Sequence, residues 1–151
     1  MKTKVRLEGL TLTVQNVKRS VAFYTKIGFV CEWNSAPAFA LLRLGGKNGL
    51  TIGLLSWEAA KKDGVSKTDT KQKRSIHVEL STDNLDALYE ELVAKGIKFS
   101  EPPHDEPWER SATAFDPDGY AIEIAEGRRG QKKKSRALKT NVAARLAGQN
   151  S

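Results

Sequence analysis

Only one cysteine, Cys31, occurs in the 151 residues, so no disulfide can form within the chain. Its neighbours Phe29, Val30 and Trp33 mark it as an expected buried strand thiol rather than a nucleophile. No apolar run approaches the roughly 18 residues that a membrane-spanning helix needs. The N-terminal Met1-Lys2-Thr3-Lys4-Val5-Arg6 has bases but no apolar stretch behind them, so no secretory signal is expected and a cytoplasmic location is. A Gly-x-Ser-x-Gly elbow is missing, and Cys31 has no matched base nearby. Gly45-Gly46-Lys47-Asn48-Gly49 lacks the Lys-Ser/Thr pair and the following helix of a phosphate loop, and reads as a hairpin turn. Acid is missing altogether from residues 127–151, which carry eight bases. Residues 1–126 hold 17 bases and 18 acids, so the formal charge of +7 belongs to the tail. That tail, with Lys132-Lys133-Lys134-Ser135-Arg136 and no aromatic residue, is expected to be a disordered extension. Weak, salt-sensitive binding to polyanions is the most it should provide.

What is present is a repeat. Leu10, Leu12 and Val14 alternate with small or polar residues, the period of a half-buried strand. Asn16 then stands where a helix from Val17 to Ile27 needs its N-cap, with Val17, Val21 and Tyr24 on one face and Gly28 as its stop. Strands are expected at Phe29 to Trp33, Phe39 to Leu44 and Leu50 to Leu55. Ser75 to Leu80 begins the same order again. Asp83 or Asn84 caps a helix carrying Leu85, Leu88, Leu92 and Val93, and Gly96 ends it. Ile97 to Ser100, Ala112 to Phe115 and Tyr120 to Ala125 follow as strands, with Asp116-Pro117-Asp118-Gly119 as a turn. Both halves read βαβββ. The expected organisation is a first module at 1–57, a flexible linker or loose surface turn at 58–73, a second module at 74–126 and the tail at 127–151. Two such sheets hide edges by pairing and form a cleft for a ligand.

Three stretches carry a family resemblance. Leu10-Thr11-Leu12-Thr13-Val14-Gln15-Asn16-Val17-Lys18-Arg19-Ser20-Val21-Ala22-Phe23-Tyr24, with Ile27-Gly28-Phe29 behind it, resembles the opening of a vicinal oxygen chelate module. Asp83-Asn84-Leu85 through Lys95-Gly96-Ile97 is similar to the second module's helix. Asp116-Pro117-Asp118-Gly119-Tyr120-Ala121-Ile122-Glu123-Ile124 matches the DPxG turn and last strand, the most specific of the three. Pro107-Trp108 ahead of Arg110 is similar to the loop before that turn. The resemblance spans residues 6–126 and implies the glyoxalase/bleomycin resistance/dioxygenase fold, an α+β arrangement of two βαβββ modules pairing into an eight-stranded cleft. It also implies a homodimer.

In metal-dependent members of that superfamily, ligands come from the first and last strands of each module. Aligned on the strand-to-helix turn and on the turn glycine, the four positions here are Gly9, Gly53, His77 and Glu123. Two of the four are therefore empty, and neither a glyoxalase-type nor a dioxygenase-type ligand set can be assembled. His77 and Glu123 alone imply at most a weakly held divalent metal, with Glu79 on the same face by alternation as a third ligand or a base. The expected reading is a hydrogen-bonded pair in a cleft that has lost its metal, and a protein that holds a small molecule there. The alternative is a lyase, isomerase or dioxygenase in which His77 and Glu123 anchor the ion. Thr11, Thr13, Glu79 and Ser81 should line the cleft, although strand faces commonly carry such residues. Trp33, Trp57 and Trp108 either stack on a planar ligand or serve as core or dimer contacts. His104, in Pro102-Pro103-His104-Asp105-Glu106-Pro107, is expected to be a solvated loop histidine. A strongly cationic ligand such as bleomycin is not favoured by a folded part of charge −1.

Overall fold

The structure is a computed structural model that describes residues 5–65, 73, 75–126 and 147–148. Apart from residues 147–148, the basic tail lies outside the described residues. The first module runs β1 (Gly9–Val14), α1 (Val17–Ile27), β2 (Val30–Ser35), β3 (Phe39–Arg43) and β4 (Thr51–Ser56). A short helix, α2 (Trp57–Ala60), follows. The second module is β5 (His77–Thr82), α3 (Leu85–Ala94), β6 (Phe99–Asp105), β7 (Arg110–Phe115) and β8 (Ala121–Glu126). Each module makes one four-stranded sheet, in the orders β1-β4-β3-β2 and β5-β8-β7-β6. The first strand of each lies parallel to the last, and the other pairs are antiparallel.

The expected caps hold the helices. Asn16 is extended and its side chain accepts from Arg19 N, and Asn84 does the same for Ala87 N. Period-two burial selects the core: Leu12, Val14, Leu42, Ile52, Leu54, Val78, Ala112, Ile122 and Ile124 are all buried. With Tyr24, Phe29, Leu85 and Leu92 from the helical layer, they form one cluster spanning both modules. The helix sides of the two sheets thus share a single core, and their opposite faces are left partly exposed.

The DPxG turn joins the modules by buried polar contacts. Asp116 Oδ1 accepts from Asp118 N and Tyr120 N at 2.9 Å, fixing the turn. Its Oδ2 accepts from the Tyr24 hydroxyl at 2.9 Å. Asp118 accepts from Gln15 N at 2.8 Å and from the Ser20 hydroxyl at 3.4 Å, while Tyr120 donates to Thr13 O at 3.0 Å. Burial pushes the Asp116 carboxyl above its ordinary range, and burial beside that carboxylate raises the Tyr24 hydroxyl as well.

Two expectations are corrected. Residues 58–73 do not begin as a loose turn: Ser56 caps α2 through Ala59 N, and Trp57 and Ala60 are buried. Lys73, at the far end of that stretch, is buried too, 3.6 Å from Asp118 Oδ1. Nor does the strand after Ile97 stop at Ser100, because β6 continues through Pro102, Pro103 and His104 to Asp105. It is the outer strand of its sheet and its pairing with β7 is irregular, so prolines without an N–H are tolerated there.

Candidate functional site

Strand register places the candidate residues in rows on the faces turned away from the helices. In the second sheet Glu79, Glu123, Thr113 and Glu101 stand side by side across β5, β8, β7 and β6. His77 is two residues before Glu79, and its Nδ1 lies 3.2 Å from Glu123 Oε2. The His77 side chain is 47% exposed and that of Glu123 25%, so the pair is open to solvent. Ser81 lies on the same face, paired with Ala125.

His104 joins this face instead of floating in a loop, for its backbone pairs with Ser111 on β7. Its Nδ1 donates to Pro102 O at 2.9 Å, and its Nε2 faces Glu106 Oε1 at 3.2 Å and Glu101 Oε2 at 3.5 Å. The bond to the Pro102 carbonyl, aided by those carboxylates, raises the imidazole above its ordinary value.

The equivalent row of the first sheet is Thr11, Gly53, Leu41 and Trp33. Thr13 follows on the same face, paired with Leu55, and Leu55 with Phe39. A β-carbon on Gly53 would lie 2.8 Å from Thr11 Oγ1 and 3.1 Å from the Phe39 ring. One on Gly9 would lie 2.2 Å from the backbone oxygen of Thr51. The two empty ligand positions are therefore closed by their neighbours, and at Gly9 the main chain itself would have to move. This sheet presents a largely apolar face where the other presents carboxylates.

The family profile described as the glyoxalase/bleomycin resistance protein/dioxygenase superfamily matches residues 6–124. The chain belongs to this superfamily. Among solved structures, a glyoxalase/bleomycin resistance protein/dioxygenase from Nocardioides is 26% identical, with a TM-score of 0.67 over 83% of this chain and 85% of that one. A glyoxalase-related enzyme from Fulvimarina pelagi is 23% identical, with a TM-score of 0.64 over 79% and 86%. A bleomycin-binding protein complexed with bleomycin is 19% identical, with a TM-score of 0.57 over 83% and 100%. The last two likenesses show the fold alone. No protein of curated function matches the sequence significantly.

A metal, common in this superfamily, finds a poor fit here. No group of three His, Cys, Asp or Glu placed to hold an ion exists among the described residues. Glu79 shares the row with Glu123 and does not complete such a group with His77. The tryptophans part company. Trp33 lies on the first sheet's outward row and is 63% exposed. Trp108 is equally exposed, between β6 and β7, and Trp57 is buried at the start of α2, away from both rows. Cys31 is half-buried on β2, against the core. Phe39, Leu41, Leu55, Glu101 and Thr113 escaped the sequence reading. Alternation within β3, β4 and β7 would have found four of them, but the irregular pairing of β6 hides Glu101.

Proposed function

We propose that the chain binds a small molecule against the outward sheet faces without a complete metal site. The observation that carries this reading is the contrast between the two ligand pairs: His77 and Glu123 bond to each other, whereas Gly9 and Gly53 are closed by Thr51 and Phe39. Two protein ligands leave too few donors for a tight divalent site, and among the described residues no third ligand is placed to complete it. The carboxylates of Glu79, Glu123 and Glu101 favour a ligand with a positive group, and Leu41, Leu55, Phe39 and Trp33 favour an apolar or planar body. The net charge of residues 1–126 averages this local pattern away.

The protein acts as a homodimer in this reading. The faces turn away from the core their own chain shares, so a second copy can lay its first-sheet face over the second-sheet face of its partner. Among the described residues, no helix is long and apolar enough to cross a membrane. We place the protein in the cytoplasm, where the free Cys31 stays reduced.

Calorimetric titration with Zn²⁺, Mn²⁺, Ni²⁺ and Fe²⁺ tests the absence of a site. The expected heats are the same for wild type and His77→Ala. Micromolar binding that disappears in the variant would overturn the metal-free reading and promote the enzyme alternative. The ligand side is tested with 1-naphthylmethylammonium. Its binding should withstand chelator and weaken about tenfold in Glu123→Gln. Binding indifferent to that substitution would remove the ligand from this face.

A further inference from the structure

The outward face of the second sheet is acidic, and the chain's own basic segment begins at its edge. Glu79, Glu123 and Glu101 lie in one row across β5, β8 and β6, with Thr113 of β7 between the last two. Glu106 stands just beyond, 3.2 Å from His104. Among the described residues of that row and of the rows on either side of it, no lysine or arginine offsets these carboxylates. The other titratable groups there are the two histidines, His77 against Glu123 and His104 between Glu101 and Glu106.

Where the chain leaves this sheet matters. β8 is a central strand and ends at Glu126, whose carboxylate accepts from Leu85 N at 2.8 Å on the helix side. The sequence continues Gly127-Arg128-Arg129-Gly130-Gln131-Lys132-Lys133-Lys134-Ser135-Arg136, placing six bases and no acid in the ten residues that follow the acidic face. Gly127 and Gly130 allow the main chain to turn back along the sheet. Adjacent strands lie about 4.8 Å apart, so the row from β5 to β6 is roughly 14 Å wide, while seven extended residues span roughly 23 Å. Residues 128–134 can therefore reach every carboxylate of the row from the end of β8. The first sheet offers no such anchor, because its row of Thr11, Gly53, Leu41 and Trp33 is uncharged.

We propose that the basic segment, residues 127–151, docks on the acidic outward face of its own second sheet and competes there with a cationic ligand. The competition rests on the ligand reading of that face; the contact itself does not. A tether of a few residues gives the segment an effective concentration in the millimolar range, so a contact too weak to hold a free peptide suffices. The ligand's apparent affinity then falls by the fraction of time the face is open. Salt, or a polyanion that takes up the segment, opens the face.

The contact is read on the full chain without ligand. A nitroxide on Ser135→Cys, in a Cys31→Ser background, should broaden the amide signals of Glu79, Thr113 and Glu123 more strongly than those of Thr11, Gly53 and Leu41. Glu101→Gln/Glu123→Gln should abolish the difference, as should 1 M salt, where the screening length is about 3 Å. Equal broadening of both faces, or broadening that survives salt, overturns the dock. A spin-labelled chain mixed with isotope-labelled chain lacking the nitroxide should leave the latter's signals sharp; broadening there would hand the segment to a second copy and overturn the contact within one chain. Affinity for 1-naphthylmethylammonium should rise about threefold when Arg128, Arg129, Lys132, Lys133 and Lys134 are all replaced by Gln. Unchanged affinity in that variant overturns the competition. If the amine binds neither chain, the ligand reading of the face fails and the competition with it, while the broadening still decides the dock.

Discussion

In the second module the row Glu79, Glu123, Thr113, Glu101 is acidic and open, with His77 hydrogen-bonded to Glu123. In the first, the matching row Thr11, Gly53, Leu41, Trp33 carries no charge, and the Phe39 ring lies where a side chain at Gly53 would begin. The same backbone plan thus supports two different surfaces. Strand order is set by the buried alternate residues and the helix starts by the capping asparagines, which the modules share in kind. The outward residues are free of that constraint, because they pack against solvent in the single chain, and so they diverge. A missing ligand in such a repeat is not only a missing side chain: around Gly9 and Gly53 the neighbouring strand has closed in.

The modules also differ at the turns before their last strands, and breaking that difference should have the largest effect. Asp118→Ala removes the acceptor for Gln15 N and Ser20 and takes from the buried Lys73 the carboxylate 3.6 Å away. It should cost about 3 kcal/mol in urea unfolding. Asn48→Ala, in the exposed turn of the first module, should change stability by less than about 0.5 kcal/mol. Restoring the first module's ligand position is the next test. Gly53→Glu should lower stability by about 1–2 kcal/mol through crowding against Thr11 and Phe39, and should create no metal affinity. Adding Phe39→Ala should recover part of the crowding loss; a metal bound by the single variant would show that closure of the strand is not what empties the site.

The smallest effect is a pH dependence carried by His104 in the second module. His104 is held above its ordinary value of 6.5 by the Pro102 carbonyl and the facing carboxylates of Glu101 and Glu106. A histidine raised on folding stabilises the native state fully below its unfolded pKa, and that contribution is lost as pH rises through the folded one. Stability should therefore decline slightly as pH increases from about 6.5, and His104→Gln should remove the decline. An unchanged slope in the variant would assign it elsewhere. The first module has no histidine; there Arg43 holds the Glu32 carboxyl below its ordinary range, a contribution lost only as the solution turns acid.

Much of this was legible in advance for a local reason. Asn16 and Asn84 cap their helices because an amide oxygen one step ahead of an apolar period satisfies the first turn, and no distant residue is needed. His77 and Glu123 were found together because the resemblance places a ligand at a set spacing from each turn, and the chain marks those turns. His104 was misread because two prolines hide an edge strand, whose missing N–H groups matter only once its place in the sheet is known. Trp57 was placed with the other tryptophans because a sequence shows an aromatic residue and not its surroundings.

The sequence by itself determined the βαβββ repeat, its helices and the alternating core, and the resemblance to the superfamily added the pair of ligand positions held by glycine. The repeat, helices and core follow from periodicity and from short-range hydrogen bonding, which act over a few residues. Only the tertiary structure decided that Phe39 and Thr51 close those glycines and that the carboxylates gather on one face. It also decided that Asp116 and Asp118 tie the modules together and that Trp57 is buried while Trp33 and Trp108 are exposed. Each of these depends on which strand lies next to which, and on groups about 100 residues apart being driven into one core by burial.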